Sequence, residues 1–284
     1  MTAIDQGAGL EGVEAALHYV SPAAPHSLRY VGGGQEINTA TFEPHMVFIR
    51  DARASFEPLT LQTTGFQLAR QQTAVDLYDD DQAAAAYPAE IEALLGAMLN
   101  PDRIALFRPR RRHMTQSQGE VLPGATDVHV DYDAPDSQVL ARRLLGLDRD
   151  AELPYSRFMA INLWRVLTPP PQDRPLAVCD ARTATRRGTR NTLISVDVMP
   201  PPETLLQVPP DDPDLRSGFL FHFDPDQRWY YYPDMTTDEV LLFKLYDSIE
   251  SGPWRCPHTS FADPGATSAP PRESYEIRSF VYFK

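Results

Sequence analysis

The sequence predicts a mainly β protein with flanking helices, an α+β arrangement best met by a β-sandwich or jelly roll. Three observations carry this expectation. Short runs rich in β-branched and aromatic residues recur along the chain, each bounded by Gly, Pro or Asp. Twenty-seven prolines in 284 residues divide the chain into many short elements. Only three segments show the apolar spacing of a helix, so strands dominate and helices fringe them.

In chain order, strands are predicted over 46–50, 103–107, 127–132, 157–167, 176–179, 192–198, 218–223, 228–232 and 275–283. A helix is predicted over 88–98, where Ile91, Leu94, Leu95 and Met98 form one stripe and Pro88 suits the first turn. A second helix is predicted to follow Asp136 as N-cap and to run through Val139, Leu140, Leu144 and Leu145. A third is predicted to begin at Thr236, which with Glu239 makes a capping-box pattern ahead of Val240, Leu241, Phe243 and Leu245. Pro-rich stretches at 169–171, 200–202 and 209–213 bring no change of composition, so they are read as loops within one domain over 1–284.

A hydrophobic content of 42% with 23% charged residues is ordinary for a globular protein with a sizeable core. The formal net charge of −13 would repel a phosphate backbone, which argues against nucleic acid as a partner. The one basic cluster, Arg108, Arg110, Arg111 and Arg112 around Pro109, reads as a solvated loop or an anion-facing patch. Cys179 and Cys256 are too few for a disulfide framework and suit a reducing compartment, as a pair of buried thiols. No apolar run is long enough to span a bilayer, and the first residues lack a secretory pattern, so no membrane partner and a cytoplasmic location are expected. A homodimer is the expectation for assembly, from its frequency alone.

The run Asp127-Val128-His129-Val130-Asp131-Tyr132 alternates polar and apolar residues, so His129 and Asp131 share one face of a strand. Two such side chains suit adjacent vertices of a metal, and a third ligand must come from another strand. His258 supplies it, completing a two-His, one-carboxylate set that leaves positions open for a chelating cosubstrate and O2. His222-Phe223-Asp224 repeats the His-x-Asp pattern and stands as a competitor, or as an ordinary strand histidine beside a loop.

Past a Pro-rich loop, Arg272 and Ser274 lie two apart on the predicted last strand and so share a face. A buried guanidinium facing a core calls for an anion. The far carboxylate of 2-oxoglutarate would supply it, with Glu276 as the purely structural partner and Arg278 as the reserve candidate on the same alternation. Asn162, Trp164 and Arg165 are further candidates to line that site, with Arg165 on the opposite face and an Arg165–Asp180 ion pair as the structural alternative. Trp164, Trp229 and Tyr230 are candidate substrate contacts, although an aromatic strand also suits a core. Asp238 and Glu239 read as helix-start charges, and no catalytic acid–base pair beyond the metal ligands is evident.

An ordered series of segments resembles the fungal gibberellin-desaturase-like family of oxygenases, which has members in cephamycin and fungal meroterpenoid gene clusters. It runs from Gly65-Phe66-Gln67-Leu68 and Asp76-Leu77-Tyr78-Asp79-Asp80 through Val128-His129-Val130-Asp131 and Asn162-Leu163-Trp164-Arg165. It continues with 175–182, Trp229-Tyr230-Tyr231-Tyr232-Pro233-Asp234-Met235, Tyr246-Asp247-Ser248, 258–264 and 272–278. Tyr275, and Val166-Leu167 after the Arg, depart from the family pattern without touching a candidate ligand.

The resemblance implies a double-stranded β-helix (jelly-roll) core over 101–284, with an N-terminal helix/strand extension over 1–100 packed on it. It implies Fe(II), 2-oxoglutarate and O2, with metal ligands His129, Asp131 and His258 and cosubstrate binding by the Arg272 segment. The implied activity is oxidation of a small specialised-metabolite substrate by hydrogen abstraction, ending in hydroxylation, desaturation, cyclisation or endoperoxidation. Two other readings stay open on the residues alone: a cupin-like metal enzyme without 2-oxoglutarate, and a non-catalytic jelly-roll protein that binds a small molecule.

Overall fold

A computed structural model describes residues 11–23, 27–32, 35–113, 125–197, 199, 201, 204 and 216–284. Within them the chain is mostly β, with two α-helices. The larger sheet contains β1 (Gly12–Val20), β2 (Ser27–Gly32), β3 (Gln35–Asn38), β4 (Phe42–Asp51), β7 (His129–Val130), β9 (Leu176–Cys179), β10 (Gly188–Ser195), β11 (Arg216–Phe221), β12 (Trp229–Tyr231) and β14 (His258–Ser260). The smaller sheet has the order β5 (Phe66–Arg70), β13 (Glu239–Asp247), β8 (Arg157–Val166), β15 (Glu273–Phe283) and β6 (Arg103–His113).

The three central strands of the smaller sheet are buried on both faces, so their sequences read as continuous apolar runs rather than alternations. One face, through Met159, Ile161, Leu163, Val240, Leu242 and Ile277, packs under α1 (Asp80–Leu99). The other, through Phe158, Ala160, Trp164, Leu241, Phe243 and Phe280, packs toward Val178 and Tyr230 of the larger sheet. Successive residues of β8 therefore serve different cores, and this decides which of its polar side chains reach the space between the sheets.

The predicted strands over 46–50, 103–107, 157–167 and 176–179 lie within or closely match β4, β6, β8 and β9. Three helix expectations need correction. The first helix starts at Asp80 rather than Pro88, because the Asp79 carboxylate accepts from the Asp81 and Gln82 amides. Pro88 sits inside it, and the alanine-rich first half has helix propensity without an apolar stripe to reveal it. The second, α2 (Ala134–Arg143), is capped by Asp133, whose Oδ1 accepts from Asp136 N at 2.8 Å. The third is not a helix. Thr236 N does donate to Glu239 Oε2 at 2.9 Å, as a capping box would, but the chain enters β13 between β5 and β8. Its run Val240–Phe243 is claimed alternately by the two cores, and tertiary burial overrides the local helix signal. Cys179 and Cys256 are buried free thiols, as expected, and Cys256 Sγ donates to the Cys179 carbonyl at 3.2 Å.

Candidate active site

β7 and β14 are antiparallel neighbours, and their register sets His129 directly opposite His258, with ring centroids 4.4 Å apart. Both rings are oriented by the same device. His129 Nδ1 lies 2.8 Å from the Asp127 carbonyl, and His258 Nδ1 lies 3.2 Å from the Cys256 carbonyl, in each case two residues upstream. A carbonyl can only accept, so each ring carries its proton on Nδ1 and leaves Nε2 as an electron-pair donor. Phe243, with its ring centroid 4.5 Å from that of His258, closes the apolar side.

Asp131, just past β7, completes the cluster: one ligand atom from each of His129, Asp131 and His258 lies within 4.8 Å of the others. Asp131 Oδ1 accepts from Arg278 Nη2 at 2.7 Å, whereas the buried Oδ2 has no hydrogen-bond partner. Burial alone would raise this carboxyl, but Arg278, then His258 and His129, hold it well below the usual carboxylate range. Burial, reinforced by His129 and opposed by Asp131, pushes the His258 imidazole down to about 4, so it is neutral at pH 7. A buried ionised oxygen without a donor is costly. Two imidazoles in the same cluster make the donor set one that fits a divalent transition metal.

A cavity of about 50 Å³ opens beside this cluster, walled by Asn162, Trp164, Arg272 and Ser274. The Arg272 guanidinium lies over the Trp164 ring at 5.0 Å and donates from Nη1 to Ser274 Oγ at 2.8 Å. Its backbone amide donates to Asp173 Oδ1 at 2.8 Å, which anchors the start of β15. Burial pushes Arg272 down to about 10, so it still carries its charge at neutral pH. Asn162 Oδ1 is buried without a hydrogen-bond partner, a second bare polar atom in the same space. Glu276, the alternative partner for Arg272, instead accepts from Arg112 Nη2 at 2.7 Å and lies 3.4 Å from Arg278 Nη2.

The fold thus gathers His129, Asp131, His258, Asn162, Trp164, Arg272, Ser274 and Arg278 around one space. Arg165 does not belong there. It lies on the α1 side of β8, where Nε donates to the Tyr87 hydroxyl at 3.0 Å and Nη1 to the Gln71 carbonyl at 2.9 Å, with further bonds to Thr237 and to the Gln71 side chain. Its alternative pairing is not formed either, since Asp180 pairs with Arg182 at 2.8 Å and Arg228 at 3.4 Å. Trp229 and Tyr230 line neither this cavity nor the one joined to it. Trp229 is packed edge-on against Tyr19, and Tyr230 lies between Phe66 and Arg50. The competing His222 meets Thr189 Oγ1 at 3.5 Å while Asp224 pairs with Arg187 at 3.1 Å, away from the cluster.

A second cavity, of about 340 Å³, shares Arg112, Ala125, His129, Asp131 and Arg278 with the first. Arg29, Leu193, Phe219 and Tyr132 stand on its walls. The first three come from β2, β10 and β11, and no local signal in their sequences marks them as lining a site. Only the crossing of strands distant in sequence brings them to His129.

The family described as "YDMC: Oxidoreductase/YMDC permease-like domain" matches residues 17–282. Among the described residues no helix is long and apolar enough to cross a membrane. The chain is 32% identical over 256 residues to the Fe(II)/2-oxoglutarate-dependent dioxygenase nvfI of Aspergillus novofumigatus, covering 88% of this chain and 87% of that protein. It is 28% identical over 289 residues to the hydroxylase/desaturase efuI of Hormonema carpetanum, covering 96% and 95% respectively. Among solved structures it is similar to the iron and alpha-ketoglutarate-dependent endoperoxidase NvfI, with a TM-score of 0.79, 28% identity, and coverage of 95% of this chain and 98% of that one.

Proposed function

The chain belongs to the family of Fe(II)/2-oxoglutarate-dependent oxygenases represented by these fungal proteins, and from that premise we propose which of its residues serve the iron, the cosubstrate and the substrate. His129, Asp131 and His258 hold Fe(II). The observation that carries this assignment is Asp131 Oδ2, a buried carboxylate oxygen with no hydrogen-bond partner, 3.9 Å from His258 Nε2 in a cluster that His129 completes.

Arg272 and Ser274 receive the far carboxylate of 2-oxoglutarate. Arg278, the reserve candidate, is committed to Asp131 and positions that ligand instead. Trp164 supports Arg272 from below, which makes it part of the cosubstrate pocket rather than a substrate wall. The bare Oδ1 of Asn162 lies in the same pocket and orients its contents. The strands of both sheets that lie within 101–284 form a double-stranded β-helix core, which β1–β5 extend at the sheet edges and on which α1 packs.

When bound, iron and cosubstrate supply the activation of O2 that converts 2-oxoglutarate to succinate and CO2 and removes hydrogen from the substrate. The protein's own residues position and shield that chemistry. The carbonyls of Asp127 and Cys256 fix the two imidazoles, Arg278 holds one oxygen of Asp131, and Phe243 keeps water from the His258 side. The substrate is a small specialised-metabolite molecule seated in the 340 Å³ cavity, which is lined by His129 and Asp131 but not by Arg272. Whether it is hydroxylated, desaturated, cyclised or converted to an endoperoxide depends on which of its carbons that cavity presents.

The test is anaerobic titration with Fe(II) and then 2-oxoglutarate, followed by visible absorption. The expected weak charge-transfer band needs both additions and is lost in His129→Ala, Asp131→Ala and His258→Ala. Retention of the full band in any of these variants would remove that residue from the ligand set.

A further inference from the structure

The larger cavity is lined by six arginines, Arg29, Arg108, Arg110, Arg112, Arg216 and Arg278, against three carboxylates, Glu36, Asp127 and Asp131. This cationic excess stands on a chain with a formal net charge of −13, so it runs against the composition of the protein as a whole. Part of it is neutralised locally. Arg29 pairs with Glu36 at 2.8 Å, Arg278 with Asp131 at 2.7 Å and Arg112 with Glu276 at 2.7 Å. Among the described residues, no carboxylate lies within ion-pairing distance of Arg108 or Arg110. Burial, with Arg112 and Arg278 close by, pushes the half-buried Arg110 guanidinium down.

A backbone irregularity aims these side chains. Glu276 pairs with Arg110 and Arg278 with Phe107, so β6 carries one residue more than β15 between them. The extra residue falls at Arg108-Pro109, where Arg108 has φ +53° and Pro109 has no amide to donate. Ahead of this bulge Ala105 and Phe107 face the core between the sheets. Beyond it the alternation is reset, and Arg110 and Arg112 take that face instead. Without the bulge these two arginines would be turned toward the opposite face.

We infer that the larger cavity takes a substrate bearing a carboxylate, received by Arg110 with Arg108 beside it, and an apolar skeleton packed on Leu193 and Phe219. The inference rests on the proposed seating of iron and 2-oxoglutarate in the neighbouring site. Fe(II) and the 2-oxoglutarate dianion cancel in charge, so their binding leaves the cationic excess in place. A planar guanidinium partly stripped of water, with no carboxylate within ion-pairing distance, gains most from a carboxylate.

The probes are 4-phenylbutanoate and 4-phenylbutanamide, which share a skeleton and differ in charge. Each is titrated calorimetrically into protein loaded anaerobically with Fe(II) and 2-oxoglutarate. The carboxylate is expected to bind at least about tenfold more tightly than the amide, the range of charge-assisted hydrogen bonds. Arg110→Gln is expected to abolish that preference while leaving the Fe(II)/2-oxoglutarate absorption band intact, and Arg108→Gln to weaken it. Equal binding of the two probes, failure of the carboxylate to bind, or a preference that survives in both variants would overturn the inference. Failure of the iron and cosubstrate reading registers separately, as absence of the band before any probe is added, and the probe titration is then made on the metal-free protein.

Discussion

Asp131 and Arg278 share a 2.7 Å charge-assisted hydrogen bond that occupies one carboxylate oxygen and leaves the other buried and bare. The guanidinium comes from β15 and the carboxylate from the end of β7, so the bond also ties the two sheets together beside the histidines. With Asp131 as a proposed metal ligand, Arg278 would contribute to metal affinity without touching the metal.

Arg278→Gln is therefore expected to weaken Fe(II) binding by about 10–100-fold, the usual cost of losing such a support. Anaerobic titration with Fe(II) alone reads this directly. An unchanged affinity would show that the strand end by itself holds Asp131 in place.

Arg272→Ala is expected to raise the 2-oxoglutarate concentration needed for half-saturation by about 100-fold, because two charge-assisted hydrogen bonds are lost. Fe(II) binding should be unaltered, since Arg272 does not reach Asp131 in the hydrogen-bond network. Arg272→Lys should recover part of the loss, having charge but no planar fork. Equal 2-oxoglutarate saturation in all three proteins would place the far carboxylate elsewhere.

Arg165→Met separates architecture from cosubstrate binding. Its guanidinium ties β8 to Tyr87 of α1 and to Gln71, so the variant should lose about 2–4 kcal/mol of stability through partners left without a donor. Its saturation by 2-oxoglutarate should match that of the unmodified protein. Urea unfolding and the absorption titration, run on the same sample, check both halves.

Asp136 gives a pH prediction. Burial first, and Asp133 second, push its carboxyl up to about 6, and its Oδ2 is buried without a hydrogen-bond partner. A folded value above the unfolded one means the folded state favours the protonated form, so this group adds stability at low pH and loses it as pH rises from about 4 to about 6. Asp136→Asn should accordingly raise stability by about 1–3 kcal/mol at pH 7.5 and by much less at pH 4, compared in urea melts. A gain of the same size at both pH values would assign the effect to packing rather than ionisation.

The site was legible in the sequence where the chemistry rests on short-range alternation. His129 and Asp131 lie two apart, as do Arg272 and Ser274, and in each pair both side chains reach the same cavity. The same alternation placed Arg165 opposite Asn162 and Trp164, which agrees with its position under α1. It did not show which face of β8 meets the cavity, because both faces are buried and both carry polar groups. Trp229 and Tyr230 illustrate the same limit. An aromatic run reads alike whether it lines a pocket or fills a core, and here it fills one.

By itself the sequence determined the mainly β character of the chain, the residue types of the candidate ligands and the order in which they come. Those depend on local alternation, turn residues and donor chemistry, all of which act over a few positions. The tertiary structure alone decided four further matters. It made 239–247 a strand despite a formed capping-box bond, because sheets and helix bury both of its faces. It set His129 opposite His258 through a register between segments more than a hundred residues apart, and it divided the roles of Arg272 and Arg278 by giving one to Ser274 and the other to Asp131. It also turned Arg110 and Arg112 inward through the bulge at Arg108-Pro109. Each of these is fixed by pairing between distant strands, where a shift of one residue reverses every side chain, and no local pattern encodes that partner.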